Sequence, residues 1–284
     1  TPSRAKLLLP NFNRPFFVQF RDLLNVVPRI ALQIDKCENC DYTNQIISCK
    51  NCYLTFSAGW DEDSSYSYRI NRSKNINDCF LIEQSERCYE SLECRDSAEL
   101  YFSQDIADGL SLLFCYDTSG ATNCFMSFNM RRGSYYFRNK QLEKEEYKRR
   151  MAEIDTGSYA KLEEYKKEFM EMYQRSIHRF TNFKNVTNSV GHAFSNSKNA
   201  YYCFNGSDIE DCRYMFFVNY GRDAMDINNG DHMEHCYENS TNGVNAYGVK
   251  FSIDAWPEVR DLEYCDTCRG GVRSLFGCIS IQKK

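Results

Sequence analysis

Short segments rich in Cys, Asn and aromatic residues return throughout this chain, and a chain that repeats itself has few ways to fold. Cys49-Lys50-Asn51-Cys52-Tyr53-Leu54 is answered by Ser73-Lys74-Asn75 leading to Cys79-Phe80-Leu81, and by Ser197-Lys198-Asn199 leading to Cys203-Phe204. Softer echoes are Thr122-Asn123-Cys124-Phe125, and His235-Cys236-Tyr237-Glu238 beside Arg87-Cys88-Tyr89-Glu90. Cys49 to Ser73 is 24 residues, as is Ser197 to Gly221. Units of this kind cannot bury an apolar face alone and must stack on their neighbours. The spacing predicts a parallel β-solenoid (β-helix) with a coil in the low twenties, about three short strands joined at three corners.

A second spacing of nine separates Cys79 from Cys88, Cys115 from Cys124 and Cys203 from Cys212. On one straight strand an odd offset puts two side chains on opposite faces. If both point inward, a corner lies between them, as Asn205-Gly206-Ser207-Asp208 would supply. Free thiols behave as small buried hydrophobes and suit a narrow interior. Equivalent aromatics would stack in files on successive coils, and corner Asn would form amide ladders.

Residues 139–182 differ. A charged stretch opens at Asn139, and after Asp155-Thr156-Gly157-Ser158 apolar residues fall at Leu162, Tyr165, Phe169, Met172, Tyr173 and Ile177. That is helical spacing, and it predicts helices near 141–154 and 158–179, the second capped by Asp155, Thr156 or Ser158 and packed on the solenoid. Near the start, Arg14 to Leu24 reads as a short amphipathic helix with Pro15 near its first turn and Pro28 beyond its end, placed to cover the first coil's open edge. The expected organisation is a capping helix and first solenoid half over 1–138, a charged helical insertion over 139–182, and a second half over 183–284.

The candidate chemistry is sparse. Cys37-x-x-Cys40 and Cys49-x-x-Cys52 have the ligand type and pair spacing of tetrahedral zinc, but they also fall on the repeat, where stacked interior thiols account for them. Cys265-x-x-Cys268 has only Cys278 nearby. Asp231-His232-Met233-Glu234-His235-Cys236 gathers imidazole, carboxylate and thiol, and reads first as a surface loop. Asp61-Glu62-Asp63, Asp223 and Asp226 read as corner acids. The sequons at Asn71, Asn185, Asn205 and Asn239 are explained by the abundance of Asn and Ser. Neither a nucleophile elbow nor a phosphate loop occurs, so no catalytic residue and no cofactor is assigned.

These residues resemble a family of cysteine-rich proteins from candidate phyla radiation bacteria, in places labelled caib/baif. The resemblance rests on Pro15 to Leu24 with Val27-Pro28-Arg29, Asp41-Tyr42-Thr43-Asn44, Cys49 to Leu54, and Arg138-Asn139-Lys140-Gln141 with Glu145-Glu146-Tyr147. It extends through Ser197 to Tyr214 and Leu262-Glu263-Tyr264-Cys265. It covers nearly the whole chain. Members carry a zinc-ribbon-like segment ahead of the Phe-Phe helix, absent before Phe16 here, so the resemblance implies a piece of a longer protein, as does an opening at Thr1 without Met. Ser67 and Met215 stand where such chains often show Cys or an aromatic. The family implies a fold and no settled activity.

A net charge of −4 disfavours nucleic acid as partner despite Arg131-Arg132 and Lys148-Arg149-Arg150. With 15 Cys, an odd number, and neither a signal peptide nor an apolar run long enough to span a bilayer in the sequence, a reducing cytoplasmic setting is expected. The functional expectation is a non-enzymatic structural or binding scaffold, whose macromolecular partner would meet a face carrying exposed members of Tyr66, Tyr68, Tyr135, Tyr136, Tyr201 and Tyr202. A carbohydrate-active solenoid enzyme would instead need a groove with two carboxylates and a basic residue. A zinc- or thiol-dependent protein would need sulfurs converging on one centre.

Overall fold

The computed structural model describes residues 11–207, 213, 218–219, 221–222, 225–228, 230, 237–238, 245–255 and 257–282. It divides into two compact units, Ala31–His178 and a second made of Thr1–Ile30 with Arg179–Lys284. The amino-terminal helix therefore belongs with the second unit and not, as its place in the sequence suggests, with the first coils.

In the Ala31–His178 unit all successive coils pair in parallel at an offset of twelve. One ribbon stacks Ile34 on Ile46, Ile46 on Ala58, Ile70 on Ile82, Ile82 on Cys94, Cys94 on Ile106 and Ile106 on Thr118. The other stacks Ile76, Cys88, Leu100, Leu112, Cys124 and Tyr136. The two ribbons run together in the strand Tyr116–Phe125, giving one 14-stranded sheet. The protein is a mainly β parallel solenoid, as its repeats predict. The coil is half the expected length: the 24-residue recurrence spans two turns.

The local rule is a triplet. From Thr43 to Met130 every third residue is buried. From Lys36 to Arg138 every third residue has left-handed φ, Gly120 included, and the others carry side chains as large as Trp60, Phe102 and Tyr135. Left-handed backbone costs an ordinary L-residue about 1–2 kcal/mol, so it persists only where the surroundings over-determine it. Here hydrogen bonds do so. The residue after each inward one donates its N–H to the next coil, as Lys50 N to Asp61 O at 2.9 Å, and the left-handed residue donates to the previous coil, as Asn51 N to Glu38 O at 3.0 Å.

Four triplets make one coil, so four columns of side chains run down the interior. Two hold the bulky residues: Ile46, Ile70, Ile82, Cys94 and Ile106 in one, and Ile76, Cys88, Leu100, Leu112 and Cys124 in the other, all buried. The columns between them are small and polar. Ser85 shows why. Its hydroxyl donates to Glu83 O at 2.8 Å and accepts Ser97 N–H at 3.3 Å, relaying the backbone across a corner where water is excluded. Ser73 and Ser97 repeat the relay in that column, and Ser67, Ser91 and Ser103 do so in the opposite one. A thiol reaches the same carbonyl, as Cys79 Sγ does to Asn77 O at 3.1 Å, which is why Cys and Ser interchange here. Cys79 and Cys88 are three triplets apart and both point inward, with a corner between them as the nine-residue spacing requires.

The helices over 139–182 close on this unit. α2 (Lys144–Met151) and α3 (Tyr159–Arg175) are shorter than expected at both ends. Ser158 caps α3 by accepting Lys161 N–H at 3.5 Å. Leu162, Tyr165, Phe169 and Met172 pack on Phe114, Phe125 and Met126, as their spacing predicts.

The second unit keeps the triplet but not the count. The strand Phe183–Thr187 pairs with Val190–Lys198 at an offset of eleven, and Val190–Lys198 with Tyr201–Ser207 through a bulge at Val190/Gly191. Tyr247–Lys250, Arg260–Glu263 and Arg273–Phe276 pair at thirteen. There the buried series Leu262, Cys265, Cys268, Val272 contains one four-residue step, which Gly270 and Gly271 accommodate with φ of 72° and 74°. α1 (Phe16–Val26) lays Phe16 against Tyr264 and Phe276, with ring centroids 5.3 and 4.9 Å apart. Gly277 permits that approach: a Cβ there would lie 3.0 Å from the Phe16 ring, and its φ is +62°. Arg29 pairs with Asp266 at 3.2 Å. The helix expected over the first coil thus docks on the thirteen-residue coils, because its aromatic face finds a matching aromatic file there.

Candidate functional site

The four zinc candidates lie together at the low-numbered end of the twelve-residue coils. Cys37 and Cys49 share one column, Cys40 and Cys52 the next. Each thiol turns to the carbonyl two residues before it: Cys37 to Asp35 O at 3.2 Å, Cys40 to Glu38 O at 3.3 Å, Cys49 to Ile47 O at 3.3 Å and Cys52 to Lys50 O at 3.5 Å. The sulfurs stack along the axis within each column, and the two columns meet at Cys37 with Cys40 and at Cys49 with Cys52. Among the described residues no three His, Cys, Asp or Glu side chains form a group that could hold a metal ion. The donor set has the type that zinc takes, but not the convergent arrangement.

Asp61 sits below Cys49 in the same column, where Ser73, Ser85 and Ser97 follow. Its Oδ1 accepts Ser73 N–H at 2.8 Å, doing the work of a serine hydroxyl, and its Oδ2 lies 4.0 Å from Cys49 Sγ. Burial pushes its carboxyl up to about 7, and charge on Cys49 adds to this. The Cys52 thiol donates toward Cys49 and draws Cys49 down to about 6, while Cys52 itself is pushed up. Two anions this close in a dry column are mutually unfavourable, so charge on Cys49 disfavours charge on Asp61 and the reverse. Asp61 is thus an interior residue and not the corner acid its neighbours suggest. Glu62 does point outward, to Lys74 at 3.0 Å, and Asp63 accepts Asn51 Nδ2–H at 2.8 Å. Asn39 in turn donates to Asn51 at 2.9 Å, one of the expected corner ladders.

Cys265 and Cys268 repeat the thiol pairing, donating to Leu275 O and Cys278 O at 3.5 Å each. Asp226 is described without Asp223, and the cluster Asp231 to Cys236 lies outside the described residues, as do the side chains of Tyr201 and Tyr202.

A carboxylate file escaped the sequence reading. Glu93, Asp105 and Asp117 occupy one left-handed position on three consecutive coils. Burial, and then the neighbouring Glu93, push Asp105 up to about 7. Arg131 holds Asp117 through both carboxylate oxygens, at 2.7 and 2.8 Å. The twelve-residue offset of these acids was the available signal. On another side a shallow groove is lined by Arg72, Lys74, Glu86, Asp96 and Asp108. Lys74 is engaged by Glu62 and Glu86 by Arg87.

One exposed face of this unit is aromatic. Tyr42, Tyr53 and Tyr66 meet edge to face, each pair 5.6 Å apart, and around the corner Tyr68 stacks on Phe80 at 5.7 Å. Tyr42 is 74% exposed, Tyr66 56%, Tyr53 40% and Tyr68 39%. Four rings on one corner exceed the scattered apolar exposure of an ordinary surface. Of the tyrosines named from sequence, Tyr66 and Tyr68 belong to this face. Tyr135 packs on Tyr147 at 5.7 Å, and Tyr136 turns inward against the core.

Fold and surface together define a parallel β-solenoid with a filled interior and an aromatic outer corner. No family model and no curated protein matches the chain. Among solved structures, a candidate acetyltransferase from Desulfovibrio desulfuricans G20 aligns over 91% of this chain and 72% of its own, at 8% identity and a TM-score of 0.17. No role is carried over from it. Among the described residues no helix is long and apolar enough to cross a membrane.

Proposed function

We propose that this protein is a non-enzymatic scaffold that binds a macromolecular partner on the aromatic corner formed by Tyr42, Tyr53, Tyr66 and Tyr68. The exposure of these packed rings carries the reading. Tyrosine gives large contact area at little cost in side-chain entropy and is enriched where proteins meet. The interior supports it too, because the columns are filled by side chains and backbone relays, leaving the outer faces to act. Kinship with the cysteine-rich candidate phyla radiation family belongs to this reading, and so does a reducing compartment, where the 12 described cysteines stay free.

A photo-crosslinking residue at position 66 or 68 tests the proposal. Discrete polypeptide adducts there, competed by unlabelled protein and not formed from position 110, support it. Their absence refutes it. A carbohydrate-active enzyme is the second reading, favoured by the Glu93–Asp105 pair, since a carboxyl raised to about 7 can serve as a general acid. Loss of glycan cleavage in Asp105→Asn would support it, and no activity on any glycan panel would count against it.

A further inference from the structure

Resting on the scaffold reading, we infer that the partner presents an amphipathic α-helix with an aromatic stripe and a basic flank, docked on Leu54, Tyr66, Tyr68 and Phe80 as α3 docks on its own platform. The template is inside the same unit. α3 sets Phe169 against Phe114 at 5.9 Å and against Phe128 at 5.3 Å, and Tyr173 against Tyr116 at 4.7 Å. It sets Lys166 over Phe102 at 5.0 Å and pairs Glu168 with Arg138 at 2.8 Å.

Because the coils superpose at twelve, every position of that platform has an equivalent four coils earlier, about 19 Å along the axis at about 4.8 Å per coil. Leu54 stands for Phe102, Tyr66 for Phe114, Tyr68 for Tyr116 and Phe80 for Phe128. The apolar surface is therefore repeated, but its cover is not. Phe114 and Tyr116 are 1% and 7% exposed under α3, whereas Tyr66 and Tyr68 are 56% and 39% exposed. The charge is reversed. Where α3 meets Arg138 with Glu168, the earlier platform has Glu90, and Asp78 lies one coil before it in the same file. Lys166 of α3 already bonds Glu90 at 2.8 Å, which shows that an ammonium on a docked helix reaches this file. Glu90 and Asp78 together outweigh Lys166 and leave this file net acidic, so a helix seated here is favoured if it carries Lys or Arg where α3 carries Glu168.

The probe is a labelled peptide with the sequence of residues 158–176 bearing Glu168→Lys, titrated against the full chain by fluorescence anisotropy. Saturable binding is expected. Tyr66→Ala with Tyr68→Ala should weaken it at least about tenfold, as loss of a central aromatic anchor does. Leu110→Ala, on a different exposed file, should leave it unchanged. The peptide retaining Glu168 should bind several-fold more weakly. Both tyrosines are surface residues, and an unchanged circular dichroism melt certifies the fold of the double variant. No saturable binding at millimolar peptide, equal affinity for the double variant, or tighter binding of the Glu168 peptide overturns the helix inference. If peptide binding fails while polypeptide adducts still form from position 66, the helix is wrong and the scaffold reading stands. If adducts are absent too, both fall.

Discussion

Replacing Ser85 by Ala removes one oxygen from the interior and tests the relay on which the corners depend. Ser85 is 4% exposed; its hydroxyl donates to Glu83 O and accepts Ser97 N–H. Glu83 O keeps a second donor, Asp96 N at 3.0 Å, so the carbonyl is not abandoned. The Ser97 amide is left facing a methyl group. A buried donor stripped of its partner costs about 1–3 kcal/mol, and the lost volume is too small to admit water. We expect a loss of about 2 kcal/mol, roughly a 30-fold change in the opening equilibrium. Ser85→Cys should cost less than about 1 kcal/mol, because a thiol fills this role at Cys37 in the same column, donating to Asp35 O and accepting Cys49 N–H. Ser57→Ala, whose hydroxyl meets only Gln45 at the surface, should be within about 0.5 kcal/mol of wild type. Urea unfolding followed by circular dichroism gives the global value. Hydrogen exchange at the Ser97 amide gives the local one, which matters because repeat arrays can open in parts. A Ser85→Ala protein with an unshifted midpoint and a still-protected Ser97 amide would show that the hydroxyl columns do not hold the corners.

Three further outcomes follow from the interior. Asp61 and Asp105 are each raised to about 7 when folded, so between about pH 4 and 7 each holds its proton longer in the native state than in the unfolded chain, and its contribution to stability falls as pH rises. Each contributes a slope of up to about 1.4 kcal/mol per pH unit; unfolding midpoints across that window should flatten in Asp105→Asn, and an unchanged slope would refute the assignment. Among the described cysteines Cys37, Cys40 and Cys278 are only half-buried, so a chromogenic thiol reagent should modify these first and reach Cys88, Cys94, Cys115 and Cys124 only after denaturation; rapid labelling of the latter would mean that the columns are open. Phe114→Ala should cost about 3–5 kcal/mol, since the ring is buried between Phe102 and Phe169, and should release α3 to proteolysis.

What the sequence determined by itself was the class of architecture. Recurring Cys, Asn and aromatic segments required stacked coils, the nine-residue spacing required corners between inward thiols, and the spacing from Leu162 to Met172 placed the docked face of α3. The triplet was also present, in Ile70, Ser73, Ile76, Cys79, Ile82 and Ser85, but it matches neither the strand period of two nor the helical period of 3.6. Two of these six are hydroxyls and one is a thiol, which hides the series from a hydropathy reading. Only the tertiary structure decided that these serines are interior, because a hydroxyl is tolerated there solely when the next coil supplies an amide to satisfy it. The same holds for Trp60, Phe102 and Tyr135: no local preference selects left-handed backbone for such residues, and hydrogen bonds reaching to coils on both sides impose it. Whether four apolar side chains form a covered core or an open platform was likewise settled in three dimensions, since Phe114 and Tyr66 occupy equivalent positions and differ only in whether a helix lies on top.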